Sequence, residues 1–302
     1  TLHQDAILVK CNLPSDTFTD ACQTDWASRY GPLPESSVSF KQSTWNKPIV
    51  AADKGLVEIN LRDPRDKAIF LAATTKHSGD WLSALPISAC GLRLEDEAVR
   101  IGVALRLGLN VCVPHDCKCG ESVDAWGLHA MICKKASGRI TRHQALNDII
   151  ARAFNSAGIP VMKEPTGLSL QNGKRPDGLT LVPWQTGKAL VWDVTVPSTL
   201  AGSYLVASSQ TSGAAAELAS VKKINKYADI SAAYIVQPIA VESLGPVNDS
   251  ATTFLTTLGH RISDVTGEPR ELLFLWQRIS ICVQRYNAIL LHQSFVHADE
   301  PD

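Results

Sequence analysis

The sequence predicts an α+β protein built around an αβββαβ core, with a helical N-terminal region and helices again at the C-terminus. Three observations carry this. The chain has 302 residues, 45% apolar and 20% charged, the composition of folded protein. Helical periodicity gives way after residue 158 to short runs rich in β-branched residues, then returns. Turn and cap residues separate these runs where element boundaries require them.

Residues 1 to about 60 are weakly patterned, with "YGPLPESS" reading as a loop. "DPRDKAIFLAATTKHSGDWLSALP" predicts a helix from about Pro64 to Thr75 and a loop at Ser78 and Gly79. "LEDEAVRIGVALRLGL" predicts another, with Glu95, Asp96 and Glu97 in a first turn that favours negative charge. Val99, Val103 and Leu107 form its apolar stripe, and Gly108 lies near its end. Thr141 can cap "RHQALNDIIARAFNSAG", which Gly158 terminates. The strands "IPVMKE", "GLTLVP" and "KALVWDVTV" follow, the last two joined through "WQTGK" with Gly187 in the turn. An Ala-rich helix "GAAAELASVKKINKYADI" precedes a final strand "AAYIVQPIAVE". Two helices, about 250–263 and 269–292, close the chain, the second presenting Leu273, Trp276 and Ile279 to a core.

Asp193 stands in the middle of an apolar strand, where an ionised carboxylate needs a partner. A three-residue turn would put Leu179 opposite Asp193 and Asp177 opposite Thr195. The two aspartates would then be diagonal neighbours on one face, roughly 7–8 Å apart at the backbone. Paired carboxylates repel unless a cation lies between them or one keeps its proton, and oxygen ligands suit Mg²⁺ or Mn²⁺. Lys223 and Lys226 share a face of the following helix and can bring an ammonium to the pair. The plain alternatives are Pro-Asp-Gly turn chemistry at Asp177, a buried salt bridge from Asp193 to Arg175 or Lys226, and a solvated lysine face.

Four of the eight cysteines lie between 112 and 133, which reads as metal binding in a reducing compartment rather than as a disulfide framework. "CVPHDCKCGESVDAWGLHAMICKK" offers Cys117, Cys119, His129 and Cys133 as ligands for a tetrahedral Zn²⁺, with Cys112 and His115 as nearby substitutes. Its first pair is one residue closer than the common C-x₂-C spacing.

"RPDG", "VWDVTV" and "KKINKY" together resemble the PD-(D/E)xK nuclease signature in the variant whose lysine has moved to the next helix. More closely, the region resembles the restriction-like endonuclease domain at the C-terminus of site-specific non-LTR retrotransposon proteins, which carry a CCHC knuckle in the same place. "RLGLNVCVPHDCKCG" and "GRITRHQALNDII" look like that family's segments on either side of the knuckle. The likeness covers about residues 60 to 295. It implies Asp177 and Asp193 as Mg²⁺ or Mn²⁺ ligands, Lys223 or Lys226 as catalytic lysine, and Glu164 as an additional acid. Arg142 and His143 resemble the family's Arg-His pair, which implies a nucleic-acid or structural role; the nucleic-acid contacts would be Arg142, His143 and Arg175, and first-turn capping is the alternative for His143. The departure is Thr195, where the basic signature has lysine. The implied organisation is a connecting region (1–110), a zinc knuckle (111–140), the endonuclease core (141–245) and a C-terminal helical extension (246–302). The implied partners are target DNA, element RNA and an upstream polymerase region, in the nucleus. No aspartate pair in a Tyr/Phe-x-Asp-Asp setting marks a polymerase here.

Net charge is −1, but residues 117–230 hold 13 Lys and Arg against 8 Asp and Glu, suited to an anionic partner on one face. The most apolar segment, Leu272–Leu291, is broken by Arg278 and Arg285, so no membrane span is expected. The start has no basic region followed by an apolar one, and it begins at Thr1, so the chain reads as a processed product or a piece of a longer one. A catalytically inert DNA- or RNA-binding module, or a structural domain with ordinary salt bridges, are the competing expectations.

Overall fold

The run Leu190–Val194 is apolar apart from Asp193, and such a strand is stable only where both faces are covered. It lies in the interior of a four-stranded sheet in the computed structural model, which describes residues 15–35, 42–168 and 175–295. The chain divides into two units, Thr1–Arg62 and Asp63–Asp302. The first contains α1 (Ser15–Tyr30) and α2 (Gln42–Asn60), joined by an edge contact of Trp26 on Trp45 at 5.1 Å. Of the "YGPLPESS" loop, Gly31–Glu35 are irregular and Ser36 and Ser37 lie outside the described residues.

The second unit begins with α3 (Pro64–Ala73), capped by the Asp63 carboxylate accepting from the Arg65 and Asp66 N–H groups, and α4 (Asp96–Leu107). Helix α4 ends at Gly108, whose φ of 71° is the left-handed conformation that glycine adopts freely. A hairpin of β1 (His115–Asp116) and β2 (Ser122–Val123) leads to the short α5 (Leu128–Ile132). Then come α6 (Gly138–Ser156), β3 (Val161–Lys163), β4 (Gly178–Thr180) and β5 (Leu190–Thr195). The chain continues through α7 (Leu205–Ser208), α8 (Ala214–Lys226), β6 (Ile235–Ala240), α9 (Asp249–Thr266) and α10 (Glu271–His292). Mixed helix and sheet, in the order helix, three strands, helix, strand, is what the sequence pattern predicts.

The sheet runs β3-β4-β5-β6, antiparallel except for the parallel pair β5–β6, which α8 connects. Leu190, Trp192 and Val194 face a core shared with α6, α9 and α10. Across the sheet, Ala216 and Ala219 of α8 pack on Ala240 of β6, and these small side chains let the helix lie close. Helix α10 is buried on most of its circumference. Its Leu275, Ile279 and Val283 belong to the sheet core, and its Leu290 and Leu291 to a second core with α3, α4 and the hairpin.

The structure corrects several local expectations. The α4 stripe is misassigned: Val99, Val103 and Leu107 are exposed, while Ala98, Ile101, Gly102 and Leu105 are buried, because a wall of small residues faces Trp81 and α10. Leu273 is exposed, and Leu275 takes its place in the core beside Trp276 and Ile279. Helix α6 starts at Gly138, a turn before Thr141, whose hydroxyl donates to the Gly138 carbonyl inside the helix.

The hairpin register also differs. Leu179 pairs with Val191 and Gly178 with Trp192, two residues from the expected alignment. The cause is local. The turn is Thr186–Gly187, both left-handed (φ 49° and 74°), between bridged Gln185 and Lys188. Strand β4 stops at Thr180, whose Oγ1 accepts the Leu190 N–H at 2.9 Å in place of a ladder bond. Asp177 therefore sits beside Trp192 rather than Thr195, its N–H donating to the Trp192 carbonyl at 3.0 Å.

Gly178 makes this approach feasible, since a Cβ there would lie 2.0 Å from the Trp192 ring. The Gly178→Ala substitution should lower stability by roughly 1–3 kcal/mol or more through overpacking. Urea unfolding measures this, and an unchanged midpoint would contradict the close approach.

Candidate functional site

Two chemical clusters stand out among the described residues. In the first, the Cys117 N–H donates to the Glu121 carbonyl and the Gly120 N–H to the Cys117 carbonyl, closing a tight hairpin around Cys117 and Cys119. Gly127, left-handed at φ 68°, starts α5, which carries His129 and leads directly into Cys133. One ligand atom from each of Cys117, Cys119, His129 and Cys133 lies within 4.8 Å of the others. Cys117 and Cys133 Sγ are 3.7 Å apart, and Cys119 Sγ lies 3.0 Å from His129 Nε2. Zn–S bonds of roughly 2.3 Å imply a tetrahedron edge of about 3.8 Å, so this Cys₃His set could hold a metal such as zinc. Burial pushes the Cys117 thiol up to about 11, while the Glu121 N–H, ahead of the neighbouring thiols and His129, brings Cys119 down to about 7. Metal loading would displace these protons. Cys112 and His115 are turned elsewhere, Cys112 to the Asp124 carbonyl and His115 to Ser294 Oγ.

The second cluster gathers on β5. Asp193 is 2% exposed, and its carboxylate is surrounded by cationic and hydroxyl donors. Lys223 pairs with Oδ2, Lys226 with Oδ1 at 3.2 Å, and the Tyr227 hydroxyl donates to Oδ1. Both lysines therefore reach the aspartate from the last turn of α8, as their three-residue spacing allows. Lys222 points away, to the Tyr204 hydroxyl at 3.1 Å. Tyr227 is fully buried, and burial, then the bond to Asp193, raises its pKa far above the ordinary phenol value.

Asp177 joins from the β4 side. Its Oδ2 accepts the Val194 N–H at 2.6 Å and pairs with His143 Nε2 at 2.9 Å. The bond to Asp177 raises the His143 pKa despite burial, with further contributions from the charges of Asp177 and Asp193, and Lys223 opposes it. Tyr227 likewise feels both aspartates. One turn along α6 from His143, Asn147 donates to the Asp177 carbonyl at 3.2 Å and accepts the Trp192 indole N–H at 2.8 Å. Helix α6 thus holds both the carbonyl and the carboxylate of Asp177 in the Pro-Asp-Gly turn.

The sequence-predicted residues Asp177, Asp193, Lys223 and Lys226 are brought into one constellation, and His143 joins it. Arg142 lies elsewhere: it is 3% exposed, its guanidinium donating to Asn287 Oδ1 at 3.4 Å in the interior. Burial brings its pKa down to about 10. It therefore offers nucleic acid no surface, correcting that expectation. Arg175 is exposed at the edge of the site, and its carbonyl oxygen lies 3.0 Å from the Tyr227 hydroxyl oxygen, beside the bond that hydroxyl makes to Asp193. Glu164 is exposed at the end of β3, left-handed at φ 47°, its N–H donating to the Asp177 carbonyl at 3.1 Å. Tyr227 and Asn147 are the participants that sequence reasoning missed. The signals were present: a tyrosine directly after Lys226, and an asparagine four residues after His143.

No protein-family model matches the chain, and no curated protein matches it.

Purified protein should carry about one zinc per chain, and Cys133→Ser should remove it and lower the melting temperature; elemental analysis showing no zinc in the unsubstituted protein would contradict the cluster's role. The raised His143 pKa has a definite sign. Its stabilisation is fully present below the unfolded value near 6.5 and is lost as pH rises through the folded value. The stability gap between the parent and His143→Gln should therefore shrink from pH 6 to pH 9, measured by denaturant unfolding; a gap that widens would contradict the pairing.

Proposed function

We propose that the chain is a metal-dependent DNA endonuclease domain, similar to the C-terminal domain of site-specific non-LTR retrotransposon proteins, whose nick primes reverse transcription. The observation that supports this reading is the convergence of Asp177, Asp193, Lys223 and Lys226 from three elements on one spot, with His143 holding Asp177. Two carboxylates and no soft ligand form a donor set that suits Mg²⁺ or Mn²⁺. Such an ion would act as a Lewis acid on the phosphodiester and lower the pKa of a bound water. The chain's own groups have distinct roles. Asp177 and Asp193 would hold the cation, and His143, Asn147 and the Val194 N–H orient Asp177. Lys223 and Lys226 stabilise charge that develops on the attacked phosphate. Tyr227 is a positioning residue that fixes the Asp193 carboxylate.

The Cys₃His cluster would serve as a structural knuckle packed against α10, and target DNA, element RNA and an upstream polymerase region would be the partners, in the nucleus. Among the described residues no helix is long and apolar enough to cross a membrane.

One observation favours a second reading, an inert nucleic-acid-binding module. The charge of Asp193 is already balanced by two lysines and a tyrosine, as in a structural ion-pair network. Nicking of supercoiled plasmid separates the two. The endonuclease reading predicts relaxation that requires Mg²⁺ or Mn²⁺ and falls by at least about 100-fold in Asp177→Asn and in Asp193→Asn, with helix content unchanged. Salt-dependent DNA binding without metal-dependent nicking in the parent would leave the module reading standing instead.

A further inference from the structure

A cleft separate from the aspartate site lies between α6, α10 and the turn at Ala89–Gly91. It measures about 490 Å³, within the range of roughly 300–1,000 Å³ typical of ligand sites. Three arginines line it, Arg152 from α6 and Arg278 and Arg285 from α10, and no carboxylate lines it among the described residues. Arg278, Cys282, Arg285 and Tyr286 follow one face of α10, and the short side chains of Ala145 and Ala153 keep the α6 wall low. Arg285 is pre-set, its Nη2 donating to the Gly91 carbonyl at 2.8 Å and the Arg93 carbonyl at 2.9 Å. Arg278 is partly neutralised by Glu271 at 3.6 Å, and Arg152 has no carboxylate partner among the described residues. His143 and Arg152 are nine positions apart on α6, about half a turn out of phase at 3.6 residues per turn. The cleft and the aspartate site therefore occupy opposite faces of one helix.

We propose that this cleft binds the phosphates of a nucleic-acid strand, apart from the site that would cut. Planar guanidinium forks suit phosphate oxygens, and Tyr286 beside them offers a ring on which a base can stack. More than one arginine in an open cleft fits successive phosphates of a strand better than a single terminal phosphate. The proposal does not depend on the endonuclease reading, because it is tested without turnover.

The experiment is fluorescence anisotropy of the full chain with a labelled single-stranded oligonucleotide, in EDTA below the concentration that strips zinc, across a salt series. The Arg152→Gln/Arg278→Gln double variant leaves the Arg285 anchor intact. Its affinity should fall about tenfold or more, and the slope of log affinity against log salt should shrink by roughly 0.7 per lost contact. An Arg152→Lys/Arg278→Lys variant should keep most of the slope, and circular dichroism should confirm that both variants fold. Unchanged affinity and slope in the glutamine variant would overturn the proposal. So would competition by a free mononucleotide as effective as by the oligonucleotide, which would make the cleft a small-ligand pocket.

Discussion

The burial of the Asp193 carboxylate sets the terms for the rest of the core. A charge 2% exposed inside a central strand is tolerated only because Tyr227, Lys223 and Lys226 are delivered to it by the end of α8. Removing one partner of such a buried pair typically costs about 3–5 kcal/mol. The fold meets this demand through geometry already present in its chain order. The right position of α8 over β6 follows from the alanines at Ala216 and Ala219, and that position carries the following turn of lysines over β5. A strand that binds its neighbours so tightly can hold an aspartate fixed for chemistry, or can use it only as a strut. Both readings share this network, and the difference lies in whether a cation and substrate can take over the lysines' place.

Helix α6 provides the second half of the arrangement. Its Asn147 and His143 hold the carbonyl and carboxylate of Asp177, while Trp192 fills the space that Gly178 leaves open. The same helix lines the arginine cleft on its other side. Helix α10 then joins the sheet core to the Cys₃His hairpin, since its two ends belong to the two cores. Loss of metal from the hairpin would therefore be felt through Leu290 and Leu291 along a helix that also packs against α6.

Much of this was legible in the sequence, for physical reasons that differ by element. The Cys117, Cys119, His129 and Cys133 set could be read because ligand identity and short spacing leave few ways to arrange four donors. Asp193 could be read because a carboxylate among Val, Trp and Leu violates the strand's own pattern. The register of Asp177 could not, because it depends on Thr186 adopting a left-handed turn conformation that a β-branched residue ordinarily avoids. The α4 stripe was misread because close packing there uses Gly102 and Ala98 instead of the larger valines. Arg142 was misplaced because a charged residue is expected at the surface, and only the tertiary contact with Asn287 shows otherwise.

The central claim is that Asp177 and Asp193 form a cation site and not only an ion-pair network. Manganese titration of the zinc-loaded chain with a short duplex, followed by electron paramagnetic resonance of free Mn²⁺, tests it most directly. The account predicts that the parent removes Mn²⁺ from solution and that Asp177→Asn and Asp193→Asn abolish this uptake while duplex binding persists. Equal uptake by the parent and both variants, or none by the parent, would contradict it.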